Sequence, residues 1–436
     1  MAAVLEACAE HGVPVVPYGG GSGVCGGVVP VRGGVALDLK RLDRIRGLRE
    51  TALLCEVEAG VIGSHLEGWL GERGYTLGHF PSSIACSTVG GWIAARSSGQ
   101  ASTRYGSIEH LVAGLEVVLP TGELAVLRPV PRTAAGIDWR NVLCGSEGLF
   151  GVVTRAWLRV QPVPAARRFL AFRFPDFDAG LDAMRRVLRR GYRPAVMRLY
   201  DPLDTLVGVS GGGGGAGMVA QLGRAAFERA RALLLAHPRW AWLAELAAGG
   251  CHAVVVCEGE APLVALEAEV VHEEARRAQA FDAGPGPARR WFEHRYAISF
   301  KGSAVFAAGG FVDTLEVAAP WDRIGEVYRA VREAIAAHAV TLAHASHLYP
   351  EGCSVYFTFA AATGSVKQDE ACYERVWRAG LAAAREHGAT ISHHHGVGLL
   401  KAQALREELG PLHAALGRVK AALDPHGVLN PGKLGL

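Results

Sequence analysis

The chain has 436 residues, half of them hydrophobic and a fifth charged, with a formal net charge of +3, enough to bury the cores of two or three domains. That balance, without a Lys/Arg block, gives no reason to expect nucleic acid as a partner. Nine cysteines stand singly with no Cys-x-x-Cys pair, no stretch is apolar for the length of a membrane span, and the start lacks the pattern of a secretory leader, so the expectation is a reducing, cytoplasmic setting.

Val4, Leu5 and Cys8 mark a short amphipathic helix that stops near His11-Gly12. A strand over 13–16 then runs into a loop with six glycines in the nine residues 19–27. Glycine tolerates positive φ and brings backbone close to a ligand, and successive N–H groups turned inward form a nest for phosphate oxygens. Gly21, Gly23 and Gly26 satisfy G-x-G-x-x-G, but the sequel 28–39 is broken by Pro and Gly and has no helical period. A nicotinamide-type Rossmann turn therefore fails, and so does a P-loop, since no Gly-Lys-Ser/Thr follows. What is left is a strand–loop–strand phosphate cradle.

Further strands are expected over 35–39 and 53–60, and a helix over 62–73. A second small-residue segment, 81–106, includes Ser87, Thr88, Gly90 and Gly91, and a third, 144–154, reads Cys-Gly-Ser-Glu-Gly-Leu-Phe-Gly-Val-Val-Thr. Three such segments suit one long ligand with several polar stations, the hydroxyls donating to its oxygens. Between them, 111–119 and 122–127 read as a hairpin around Pro120-Thr121-Gly122, and a strand over 152–160 ends at Pro162.

The character changes after Pro164. Strands over 171–174 and 195–199 flank a helix over 177–190; a five-glycine run at 211–215 reads as a linker; a strand over 253–257 precedes a helix over 262–281. These β-α-β-type units predict a second domain with a sheet covered by helices. From Thr341 a motif-rich stretch leads into a strand over 354–359, a helix over 370–387, three histidines at 393–395, a helix over 401–423, and the closing run 424–433, Asp-Pro-His-Gly-Val-Leu-Asn-Pro-Gly-Lys.

Strand alternation puts Tyr356 on one face with Thr358, opposite Phe357 and Phe359, which points its hydroxyl to the more polar side. A tyrosine there is either a core aromatic or, if nearby cations such as His394, Arg198 or Lys301 lower its pKa, a side chain able to act as a base. Arg198, Arg295 and Lys301 form a candidate anion pocket. In extended backbone His393 and His395 face one way and His394 the other, so three ligands on one metal are not expected. A structural role at a loop and proton handling both stay open, the latter favoured because imidazole titrates near neutrality.

This order of motifs resembles the vanillyl-alcohol-oxidase (PCMH-type) FAD flavoproteins. Four stretches make it most similar to the alkyldihydroxyacetonephosphate synthase family: 197–201 (Met-Arg-Leu-Tyr-Asp), 319–323 (Ala-Pro-Trp-Asp-Arg), 355–359 (Val-Tyr-Phe-Thr-Phe) and 392–398 (Ser-His-His-His-Gly-Val-Gly). The resemblance implies an α+β fold: a PCMH-type FAD-binding domain over 1–162, an α/β cap or substrate domain over 163–388, and a C-terminal segment, 389–436, returning to the FAD region. Relatives carry a further strand before the helix at Val4, so a shortened N-terminal edge is expected.

It also implies non-covalent FAD, held by Pro17, Tyr18, Gly19, Gly20, Gly21, Ser22 and Gly23; by Pro81, Ser82, Ser87, Thr88, Gly90, Gly91, Ser97, Gly99, Tyr105 and Gly106; and by Glu147, Gly148, Gly151 and Val152. The activity implied is exchange of the acyl chain of acyl-dihydroxyacetone phosphate for a fatty alcohol through a flavin N5 adduct, with no net redox change. Tyr356 would be the acid/base, His393, His394 and His395 would line the reacting centre, and Arg198 and Lys301 would bind substrate. Lysine at 301, where relatives carry arginine, keeps the charge but loses the bidentate fork. A lipid-like anionic substrate, peripheral membrane contact for it, and a homodimer are the partner expectations; no metal is expected. The alternative enzyme is an FAD-dependent D-2-hydroxyacid dehydrogenase or oxidase, and a third reading is a flavin-binding protein without catalysis.

Overall fold

The computed structural model describes residues 1–210, 249–297, 303–307 and 309–436. The five-glycine run and Lys301 lie outside the described residues. The chain divides into two compact units: Met1–Val163 with Ser392–Leu436, and Pro164–Ile391.

In the first unit the two ends of the chain share one core. The helix Ala2–Glu10 buries Leu5 and Cys8 against Val15, Leu39, Val118, Val152 and Leu429. The short strand Val15–Tyr18 pairs in parallel with Val35–Asp38, and Val15 also bridges Leu429 in parallel. The glycine loop is thus the connection between two parallel strands, a crossover made without a helix. Beside it stands a five-stranded antiparallel sheet in the order Ile45–Arg49, Leu54–Glu58, Val152–Arg159, Val112–Val118, Leu124–Leu127. The hairpin that joins Val112–Val118 to Leu124–Leu127 turns at Gly122, whose N–H donates to the Leu119 carbonyl at 2.9 Å and whose φ is +90°.

The second unit is a seven-stranded sheet in the order Phe281–Asp282, Ala166–Phe174, Cys251–Gly259, Val196–Tyr200, Val340–Leu348, Gly352–Ala361, Phe311–Pro320. Every neighbouring pair is antiparallel. Helices lie on both faces: Gly286–His294 packs through Ala288 on Ala171 and Val254, and three longer helices take the opposite face. Gly180 of the helix Phe177–Arg189 leaves room for Leu199, where a Cβ would stand 2.6 Å from it. Tyr328 of the helix Ile324–Ala336 stacks on Phe357, and Trp377 of the helix Val366–Glu386 meets Phe359 edge-on. Asp176 and Ser365 cap two of these helices by accepting backbone N–H bonds.

Two helices differ from expectation. The helix over 401–423 is two, Ala402–Leu409 and Pro411–Leu423, because Gly410 takes φ 52° with ψ −124° and Pro411 can only start a helix. The helix over 262–281 ends at Arg277; Gln279 turns left-handed and Phe281–Asp282 becomes an edge strand. Among the described residues, no helix is long and apolar enough to cross a membrane.

Candidate active site

In the first unit the three glycine-rich segments converge. A Cβ on Gly20 would lie 2.0 Å from the Cys86 carbonyl oxygen, and one on Gly19 would lie 2.4 Å from the Thr88 hydroxyl oxygen. A Cβ on Gly148 would approach the Pro17 ring at 3.1 Å. The start of the glycine loop therefore lies against the Cys86 backbone and the Thr88 side chain, and Gly148 against the Pro17 ring, each too close for a side chain on the glycine. Among the described residues, no group accepts a hydrogen bond from the N–H groups of Gly19 to Val24. Unspent donors on a loop pinned this closely fit the oxyanions of a pyrophosphate, so the residues present suit FAD.

Other predicted cofactor residues do structural work. Thr88 caps the helix Val89–Ala95 by accepting the Gly91 N–H, and Gly90 donates to the Ala59 carbonyl at 2.7 Å. The Ser87 hydroxyl accepts from the Trp92 indole at 2.7 Å, so its own proton remains to be donated. Gly99 lets the Phe80 amide approach, Gly106 takes φ +82°, and Tyr105 packs its ring over Gly78. Gly151 makes room for Val117, and Val152 begins a buried strand. Pro81, Ser82 and Ser97 lie in the connecting loops, Ser97 holding the ring of His79 at 2.9 Å. His79 is fully buried with its edge against Trp92, and burial pushes its pKa down to about 3.

Glu147 departs from the expected cofactor contact. Its carboxylate accepts the backbone N–H groups of Val397 (2.6 Å) and Gly398 (2.9 Å), so it ties the third glycine segment to the C-terminal return. Burial raises its pKa, opposed by those two amides and by Lys401 and Lys433.

The closing motif completes the tie. Asp424 accepts the Val428 and Leu429 amides, and Lys420 reaches Asp424 (2.6 Å), the Leu149 carbonyl (2.8 Å) and the Leu429 carbonyl (2.7 Å). Asn430 donates to the carbonyls of Gly27 and Glu147, and Lys433 to that of Val29. A sequence run 400 residues away thus clamps the far end of the glycine loop.

The histidine run does not alternate as expected. Residues 392–398 form a closed loop: the Ser392 hydroxyl donates to the Gly396 carbonyl at 2.9 Å, and Gly396 and Gly398 take positive φ. The Nδ1 atoms of His393 and His394 come within 3.0 Å, and the rings of His394 and His395 lie 4.6 Å apart. Neighbouring imidazoles at hydrogen-bond distance can share a proton.

In the second unit the sheet face opposite the helices Phe177–Arg189, Ile324–Ala336 and Val366–Glu386 carries polar side chains at its centre. Register aligns Tyr200, His344, Tyr356 and Glu316 across four strands. The Tyr356 hydroxyl donates to the Thr314 hydroxyl at 3.0 Å, and its ring stacks on His344 at 5.0 Å and 20°. Phe357 and Phe359 are fully buried on the other face, as alternation requires. The Tyr356 pKa moves against expectation: burial pushes it up to about 12, outweighing the lowering by the Thr314 bond and the Arg198 charge.

Arg198 hydrogen-bonds the Nε2 of His344 and lies over the rings of Trp291 (5.5 Å) and Tyr200 (5.8 Å). The His344 Nδ1 lies 3.1 Å from Asp204. Burial first, then the Arg198 charge, holds His344 well below its usual pKa, hence neutral. Arg295 does not join this group; its guanidinium turns onto the Phe292 carbonyl and ring. His344, Asp204 and Thr314 were not legible as site residues. The one available signal was alternation within 340–348, which puts His344 and Ser346 on one face and Ala343 and Ala345 on the other.

A family model described as FAD linked oxidases, C-terminal domain, matches residues 163–434, and one described as FAD binding domain matches residues 1–128. The alkyldihydroxyacetonephosphate synthase of Trypanosoma brucei brucei is 31% identical over 453 residues, spanning 99% of this chain and 70% of its own. That of Caenorhabditis elegans is 28% identical over 459 residues, spanning 99% and 73%. The glycolate oxidase subunit GlcD of Bacillus subtilis is 27% identical over 444 residues, spanning 99% and 86%. A solved alkyldihydroxyacetonephosphate synthase structure superposes with a TM-score of 0.77 at 23% identity, covering 99% of this chain and 74% of the other. A p-cresol methylhydroxylase does so at 0.75 and 16%, covering 100% and 86%. At those identities the structural likeness establishes the fold.

Proposed function

The chain belongs to the FAD-linked oxidase family, in company with the alkyldihydroxyacetonephosphate synthases, and from that premise we propose that this FAD-dependent enzyme exchanges the acyl chain of acyl-dihydroxyacetone phosphate for a fatty alcohol. The observation that carries the reading is Arg198. Among the described residues no carboxylate stands within ion-pair distance of its guanidinium, and its Nε is buried without an acceptor. A half-buried cation held by a neutral imidazole keeps its full charge for an anionic substrate group.

In this reading the free N–H groups of Gly19 to Val24 bind the cofactor phosphates. Bound FAD would supply the electrophilic ring system that a redox-neutral exchange requires. Arg198 fixes the substrate phosphate, and Tyr356 holds and moves the substrate proton at its Oη, with the Thr314 hydroxyl as its partner. The histidines at 393–395 line the reacting centre and carry protons. Lys301 as a second substrate cation, a homodimer, peripheral membrane contact and a cytoplasmic setting belong to the same proposal.

The likeness to GlcD supports a second reading, oxidation of a 2-hydroxy acid whose carboxylate Arg198 would take equally well. The synthase reading is preferred because residues 349–354 and 394–396 lack the Gly-Asp-Gly-Asn-x-His and Glu-His-Gly runs usual in such dehydrogenases. Arg198→Gln is expected to raise the KM for acyl-dihydroxyacetone phosphate roughly 10- to 150-fold, the loss of one or two charge-assisted hydrogen bonds. Steady-state kinetics on the flavin-loaded enzyme checks this, and an unchanged KM would remove Arg198 from substrate binding.

A further inference from the structure

The strand Val196–Tyr200 ends at Asp201, which is fully buried and whose carboxylate accepts the Asp204 N–H at 2.8 Å. This is a helix cap: Asp201 starts the helix Pro202–Ser210 and places Asp204 in its first turn. Arg332 donates to the second oxygen of Asp201 at 3.2 Å, which fixes the cap from the side. Asp204 in turn meets Nδ1 of His344 on the neighbouring strand, and Nε2 of His344 meets Arg198.

The chemistry of this order is directional. A neutral imidazole has one N–H and one lone pair, and the partner of one nitrogen decides the role of the other. A carboxylate can only accept, so Nδ1 of His344 carries the proton and Nε2 presents its lone pair to the guanidinium. A carboxylate in place of His344 would pair with Arg198 and cancel its charge. An imidazole in the other tautomer would oppose two N–H donors. Only the observed arrangement orients Arg198 and leaves its charge unspent.

We propose that Asp204 and His344 are positioning residues for Arg198: Asp204 sets the tautomer of His344, and His344 aims the guanidinium at a substrate oxyanion without neutralising it. This rests on the reading of Arg198 as the anion-binding residue. A purely structural role, a satisfied polar network inside a sheet, would alter stability and leave binding alone.

The test uses the flavin-loaded enzyme and dihydroxyacetone phosphate as the probe, with its dissociation constant measured by titration calorimetry beside kcat and KM for the acylated substrate. His344→Asn keeps an amide N–H near Asp204 but offers nothing at the Nε2 position, whereas His344→Gln places an amide oxygen there. His344→Asn and Asp204→Ala are expected to weaken probe binding about 10-fold or more and to raise KM in step, with kcat at saturation changed less; His344→Gln is expected to stay within about threefold of the parent. If Arg198→Gln abolishes probe binding while His344→Asn and Asp204→Ala leave it within about twofold, the positioning inference is overturned and the reading of Arg198 stands. If Arg198→Gln itself leaves binding unchanged, that reading falls instead. Should Asp204→Ala fail to fold, the contrast between His344→Asn and His344→Gln decides, and equal binding by the two overturns the proposal.

Discussion

Tyr356→Phe is expected to lower turnover by roughly 10²- to 10⁴-fold, the usual contribution of a positioned acid or base, while flavin content and melting temperature stay near those of the parent. The substitution removes one oxygen and keeps the ring that stacks on His344. It removes the hydrogen bond to the Thr314 hydroxyl and leaves the backbone pairing of the strand intact, so the sheet should tolerate it. The flavin cradle belongs to the other unit and contains no residue of the Gly352–Ala361 strand. Because burial holds the phenol up to about 12, Tyr356 keeps its proton at neutral pH in the resting protein. Activity within about threefold of the parent, with flavin bound, would exclude it as the acid/base.

The second large effect concerns the clamp. Lys420→Met is expected to destabilise the first unit by about 3–5 kcal/mol, the cost of leaving a buried partner charge uncompensated. Asp424 keeps its two amide donors but loses the ammonium, and the carbonyls of Leu149 and Leu429 lose their donor as well. Burial lowers the Lys420 pKa while Asp424 raises it, so the pair is held together against desolvation. Leu149 follows Gly148, and Leu429 bridges Val15, the strand that enters the glycine loop. Loosening this point should therefore release flavin at temperatures where the parent retains it. The melting temperature should drop on the order of 10 °C for a unit of this size, and Lys420→Met/Asp424→Asn should recover part of the loss. A melt within about 2 °C of the parent would mean that the clamp contributes little.

What the chain alone revealed, and what it hid, follows the range of the interactions. The glycine loop was legible because backbone that must approach other backbone within a Cβ radius needs glycine, as at Gly20. The face of Tyr356 was legible because strand alternation is a local rule. Its pKa direction was not, since burial by strands distant in sequence outweighs one nearby cation. Glu147 looked like a cofactor residue because it sits among glycines, yet its carboxylate is spent on amides 250 residues further on. The break at Gly410-Pro411 was readable in principle, the pair being a strong stop within a periodic stretch. The Asp204–His344–Arg198 chain could not be read, because its members lie on one helix and two strands that only the sheet register brings together.

The central claim is a redox-neutral exchange carried out by an FAD enzyme, and one measurement addresses it directly. The flavin-loaded protein, kept anaerobic, is given acyl-dihydroxyacetone phosphate and a fatty alcohol, and the visible flavin band is followed while the lipid products are analysed. The account predicts an ether-linked product, released fatty acid, and a flavin band that ends oxidised. A band that stays bleached, or bleaches on a D-2-hydroxy acid with no ether product from the acylated substrate, would contradict it and make the enzyme a dehydrogenase.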